Sequence, residues 1–122
     1  MIGSPLYLTG TRPYIMHAMG IVGRFQENPK EAHLQVVKRI FKYLQGTQNY
    51  VLQYPRDTDL TLHAYTDADW AGSVDDRKNT SGGALFMGSR LVSWFSKKQS
   101  SIALSTDEAE YVAAASCCTQ IL

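Results

Sequence analysis

A chain of 122 residues has room for one small domain, or for the tail of one domain joined to the start of another, but not for two full cores. Its 44% hydrophobic and 19% charged residues are ordinary for a soluble protein, and twelve basic side chains against eleven acidic ones name no partner by net charge. No run of about 18 apolar residues occurs, and Met1-Ile2-Gly3 lacks a basic start leading into an apolar stretch, so an intracellular protein without a membrane anchor is expected.

The first predicted element is a helix from about Thr11 to Phe25. Thr11 can cap it, Pro13 fits its first turn, and Ile15, Met16, Met19, Val22 and Phe25 recur at helical spacing. A second helix is opened by Asn28-Pro29-Lys30-Glu31, which offers a capping residue, a first-turn proline and a Glu at the third helical position. Ala32, Val36, Val37, Ile40, Phe41 and Leu44 are predicted to line one face, with Gly46 as the terminator. Lys38, Arg39 and Lys42 cluster on the same helix, and Arg77-Lys78 and Lys97-Lys98 fall at predicted loop and strand ends. They read as solvated faces, with phosphate contact as the alternative.

From Tyr50 the period changes. After a turn around Pro55-Arg56-Asp57, Leu60, Leu62, Ala64 and Thr66 alternate with Thr61, His63, Tyr65 and Asp67, which is strand periodicity. A polar loop from Ser73 to Ser81 leads through Gly82-Gly83 into Ala84-Leu85-Phe86-Met87, and Gly88-Ser89 turns the chain into Leu91-Val92-Ser93-Trp94-Phe95 as a hairpin. Ser105-Thr106-Asp107-Glu108 is a capping box that opens a last helix running from Thr106 to the C-terminus. The expected class is α+β: two N-terminal helices, an antiparallel three-stranded sheet near residues 60 to 97, and a C-terminal helix. Any domain boundary falls in the Gly46 to Asp59 connection. Cys117 and Cys118, adjacent on that helix, diverge too far for an unstrained mutual disulfide and read as small core fillers. Asn79-Thr80-Ser81 fits the glycosylation pattern by chance, since no secretion signal accompanies it.

The last helix holds three carboxylates close together. Glu108 completes the capping box and Asp107 favours the positive end of the helix dipole, so both have structural reasons. Glu110 has none: helical spacing puts it on the stripe of Ala113, Ala114, Cys117 and Ile121 that is expected to dock on the sheet, where a carboxylate is costly unless paired or bound to a cation. It can also snorkel or meet a basic partner. Asp67 and Asp69 share one face at the end of the first strand, where Asp is disfavoured, although the following loop offers a plain turn explanation. A strand-end carboxylate and one at the start of a docked helix can converge above a sheet, and magnesium takes such oxygen donors. Two carboxylates begin a two-metal site without completing it.

The segments Leu8-Thr9-Gly10-Thr11-Arg12-Pro13 and Lys38-Arg39-Ile40-Phe41-Lys42-Tyr43-Leu44-Gln45-Gly46-Thr47 resemble the end of the reverse transcriptase region of copia-type LTR retrotransposon Pol polyproteins. Four more are similar to the ribonuclease H region that follows it: Tyr65-Thr66-Asp67-Ala68-Asp69-Trp70-Ala71-Gly72, Asp76-Arg77-Lys78-Asn79-Thr80-Ser81-Gly82, Trp94-Phe95-Ser96-Lys97-Lys98-Gln99 and Leu104-Ser105-Thr106-Asp107-Glu108-Ala109-Glu110-Tyr111. The resemblance spans nearly the whole chain in a fixed order. It implies a helical reverse transcriptase tail over residues 1–54 and, over 55–122, the N-terminal half of a ribonuclease H-like domain, a truncated β-β-β-α unit.

The implied activity is two-metal cleavage of the RNA strand of RNA·DNA hybrids during reverse transcription. Asp67 and Glu110 match the family's catalytic metal ligands, and Asp69 a weaker one, for two Mg2+ ions. The implied partners are the RNA·DNA hybrid and the remainder of the Pol polyprotein, with no membrane, in an intracellular setting that includes virus-like particles. The family's later strand-end Asp and final Asp have no counterpart before Leu122, so this chain alone is expected to be inactive. A nucleic-acid or protein binding module without catalysis, and a degenerate genomic remnant, are the competing readings.

Overall fold

In the computed structural model, which describes residues 2–56, 59–69 and 76–122, the chain divides into two units, Met1–Gln53 and Tyr54–Leu122. Helix α1 spans Gly3–Leu8, a 3-10 turn at Pro13–Ile15 leads into α2 (Met16–Gly23), and α3 spans Glu31–Gly46. The expected stripes meet in one apolar core of the first unit: Ile15, Met19 and Val22 pack with Val37 and Ile40, flanked by the partly buried Ile2, Leu8, Ala18 and Leu44. Val36 and Phe41 stay exposed, so the buried stripe of α3 is narrower than its sequence periodicity.

Helix boundaries depart from the sequence expectation where local hydrogen bonds decide them. Helix α1 was not foreseen; its Pro5 sits in the first turn, where the missing N–H leaves no acceptor unpaired. Thr11 serves the end of α1 rather than the start of α2, because its hydroxyl donates to the Leu8 carbonyl at 3.4 Å and its N–H to the same group at 3.1 Å. Helix α3 starts at Glu31, later than an Asn28 cap would give. Lys30 is the extended residue before it, and its N–H donates to His33 Nδ1 at 3.0 Å, so an imidazole takes the part expected of a carboxylate. The His33 ring also stacks on Phe25 with ring centroids 4.3 Å apart, tying the end of one helix to the start of the next. At the other end Gly46 is still helical, and the Thr47 hydroxyl donates to the Tyr43 carbonyl at 2.7 Å.

In the second unit β1 (Leu62–Asp69), β2 (Thr80–Met87) and β3 (Arg90–Lys98) form an antiparallel sheet in chain order, followed by α4 (Thr106–Ile121). The molecule is therefore of the α+β class. The β2–β3 hairpin turns at Gly88, whose φ of 60° is accessible to glycine at little cost. Strand β2 begins earlier than the hydrophobic pattern suggests, because Thr80 and Ser81 are buried and paired rather than in a solvated loop. At Gly83 a Cβ atom would clash with the edge of the Phe95 ring, which lies against the strand there. Helix α4 packs on β1 and β2 through Ala109, Ala113 and Cys117, small residues that allow close approach. Asp57 of the expected Pro55-Arg56-Asp57 turn, the motif residues Trp70-Ala71-Gly72 and part of the polar loop after them lie outside the described residues. Among the described residues no helix is long and apolar enough to cross a membrane.

Candidate functional site

Asp67 lies two residues from the end of β1, opposite Gly82 of β2, and Asp69 is the strand's last residue, opposite Thr80. Both are exposed. One oxygen of Asp67, Oδ1, accepts a hydrogen bond from the Ala68 N–H at 2.9 Å, which ties the carboxylate to its own backbone.

The start of α4 is fixed by its cap. Ser105 Oγ accepts from the Glu108 N–H at 3.2 Å, as the capping box requires. Glu108 reaches one residue further back than expected, its Oε2 accepting from the Leu104 N–H at 2.7 Å. Glu108 is therefore engaged in starting the helix, and Asp107 stands beside it in the first turn. Glu110 follows in the next positions of the helix and is exposed, contrary to the expected inward stripe. The buried row begins one residue earlier, at Ala109, and continues every fourth residue through Ala113 and Cys117; Ala114 is half-buried and Ile121 exposed. Glu110 thus sits at the margin of the docking face, where its charge remains solvated and no buried charge has to be compensated.

What brings the start of α4 to the Asp67 end of the sheet is a residue that sequence periodicity did not single out for this purpose. Gln99, buried just beyond β3, donates from Nε2 to both Ser81 Oγ and the Ala109 carbonyl, each at 2.9 Å. Its Oε1 accepts from Asn79 Nδ2 at 3.4 Å, and its backbone N–H donates to the Asn79 carbonyl at 2.8 Å. Asn79 is fully buried. One amide therefore joins β2, the end of β3 and the helix residue adjacent to Glu110. The sequence signal was a Gln and an Asn, both normally exposed types, flanking strands that must be buried on one face.

Register fixes the faces. In an antiparallel ladder, opposed residues share a face, so Ala68, Ser81 and Lys97 face one side while Asp67, Gly82 and Ser96 face the other. Ser81 meets the amide that holds α4, which assigns its side to the helix. Asp67 therefore lies on the side of the sheet away from α4, and Glu110 on the helix that covers the other side, so the two carboxylates do not meet above one face as expected. Among the described residues no group of three or more His, Cys, Asp or Glu side chains converges on one point.

Comparison with known proteins gives a consistent picture. The chain is 45% identical over 91% of its length to the Retrovirus-related Pol polyprotein from transposon RE1 of Arabidopsis thaliana, and 46% identical over 93% to the one from transposon TNT 1-94 of Nicotiana tabacum. It spans 8% of each of those relatives. It is also 43% identical over 92% of its length to Secreted RxLR effector protein 161 of Plasmopara viticola, 80% of which it covers. No protein-family model and no solved structure matches the chain.

Proposed function

Because the chain belongs to the family of the Plasmopara viticola relative and matches a segment of retrotransposon Pol polyproteins, we propose that residues 55–122 are the first half of a ribonuclease H-like nuclease domain. Residues 1–54 are then the end of a reverse transcriptase region. In this reading Asp67 and Glu110 are two of the ligands that hold Mg2+ against an RNA·DNA hybrid, and Asp69 is an auxiliary one. The observation that carries it is the Gln99 amide, which ties the helix residue next to Glu110 to the strand residue diagonal to Asp67. A tie of that kind has a clear use if the two carboxylates must serve one reacting phosphate.

Bound at such a site, a pair of magnesium ions supplies Lewis acidity to the scissile phosphate and a water of lowered pKa. The chain's own contribution is positional. The Ala68 N–H holds one oxygen of Asp67 and so limits its rotation. The Ser105 and Glu108 bonds fix the helix start, so Glu110 is presented from a rigid turn rather than a loop. Both carboxylates are exposed and so are open to a polyanionic substrate brought in with its cations.

A labelled RNA·DNA hybrid tests the reading. The full chain is joined to the segment that follows the matched region in the RE1 polyprotein, and magnesium-dependent cleavage of the RNA strand is expected, abolished by Asp67→Asn and by Glu110→Gln. Cleavage that survives both substitutions would rule out these ligands. A non-catalytic binding module is the second reading, favoured by the Plasmopara viticola relative, a protein of similar span rather than a long polyprotein. Tight hybrid binding with no cleavage in the joined protein would select it.

A further inference from the structure

We propose that the cleft between the end of β3 and the outer half of α4 is a phosphate-binding subsite that takes the phosphoryl group of a nucleotide-sized ligand, with Lys97 as its cation. The cleft has a volume of about 280 Å³ and lies on the helix-covered side of the sheet, away from Asp67. Its lining includes two lysines and no carboxylate, in a chain whose total charges nearly balance.

The groups around it divide into those already engaged and those left open. Lys98 is ion-paired with Asp76, so its charge is spoken for. Gln99 forms the back wall, and its amide is used up by Ser81, Ala109 and Asn79; it is held rigid and offers a ligand nothing further. Lys97, Ser116 and Gln120 also line the cleft, from β3 and from α4, and no hydrogen bond or ion pair engages their side chains among the described residues. An ammonium, a hydroxyl and an amide, all hydrogen-bond donors, line this one cleft, and a tetrahedral anion with several acceptor oxygens can satisfy all three.

The Phe95 ring supplies an apolar wall beside these donors. A bare inorganic anion makes no use of such a wall, whereas a sugar or base attached to the phosphate can lie against it. The ligand class is therefore a phosphate carrying an organic group, either a free nucleotide or a residue of a nucleic-acid strand. The inference stands apart from the carboxylates, because it involves neither Asp67 nor Glu110 and requires no cleavage.

The experiment is an amide-resolved NMR titration of the full chain with three probes: inorganic phosphate, AMP and a short RNA·DNA hybrid. Saturable shifts are expected at Lys97, Ser116 and Gln120 with AMP or the hybrid, and weaker ones at the same amides with inorganic phosphate. Lys97→Ala should weaken binding by about tenfold or more, the effect of losing one charge-assisted hydrogen bond. Lys98→Ala, which removes a charge already paired, should weaken it much less. Binding of AMP but not the hybrid identifies a mononucleotide site, and the reverse a strand-backbone site. No saturable shift at these amides with any probe, shifts only elsewhere, or equal losses from the two lysine substitutions would each overturn the proposal. An unchanged spectrum of Lys97→Ala away from the cleft excludes misfolding as the cause of lost binding.

Discussion

At the residue scale, two positions separate the requirements of folding from those of chemistry. Gly83 has no room for a side chain because a Cβ there would overlap the edge of the Phe95 ring. Gly83→Ala should destabilise the second unit by roughly 1–3 kcal/mol, the usual penalty of overpacking, read from chemical denaturation. Adding Phe95→Leu should recover part of that loss, which distinguishes ring displacement from a general dislike of alanine in the strand. Glu110 poses the opposite case. Exposed and without a capping duty, it is dispensable for stability, so Glu110→Gln should leave the denaturation midpoint within about 0.5 kcal/mol of the parent. Ser105→Ala, five positions earlier, should lose about 1 kcal/mol because the Glu108 N–H is left without its acceptor. A Glu110→Gln loss as large as that of Ser105→Ala would mean that the carboxylate has a structural partner and would weaken its assignment as a metal ligand.

At the element scale, the chain's periodicities predicted the three strands, the hairpin and both long helices, since each depends on alternation, on a 3.6-residue stripe or on a short local motif. What periodicity missed was decided by side chains acting on backbone groups. The late start of α3 follows from His33 accepting the Lys30 N–H, and its end from the Thr47 hydroxyl; neither residue type announces such a role. The expected inward position of Glu110 failed by one step of helical phase, about 100°, because a row of small residues has almost no amphipathic contrast to fix its direction. Asp67 stood out in the sequence because Asp is out of place in a strand, while the tie between β2 and α4 through Gln99 did not, since no local pattern pairs a residue after β3 with one in β2. That link can be measured. Gln99→Leu keeps the volume but orphans the Ser81 hydroxyl, and it should accelerate hydrogen exchange in the first two turns of α4 more than in the β2–β3 ladder.

At the scale of the whole molecule, the family assignment and the residues present set different limits. The relatives named as Pol polyproteins are more than ten times longer than the matched span, whereas among the described residues no three His, Cys, Asp or Glu side chains come together to hold a metal ion. The unextended chain should therefore show no magnesium-dependent cleavage of an RNA·DNA hybrid, because two-metal hydrolysis needs both ions held against the scissile phosphate. Weak binding of one divalent ion is still expected, visible as Mn2+-induced broadening of the Asp67 and Glu110 resonances. Cleavage by the unextended chain, lost in Asp67→Asn, would show that another residue completes the site, with Asp69 the first to test.

The sheet order β1-β2-β3 repeats the order of the chain, and its tightest connection is the turn at Gly88. Among the described residues every ladder in the second unit joins strands that are neighbours in sequence, and the hairpin closes the shortest loop before its pairing is rewarded. Folding of this unit should start at the hairpin and zip outward, with β1 and α4 added later. Gly88→Ala, which forces a left-handed conformation on an ordinary side chain, should act mainly on the folding rate and hardly on the unfolding rate. Ala113→Gly in α4 should do the reverse, so that the order of assembly is written in which arm of the kinetic plot each substitution moves.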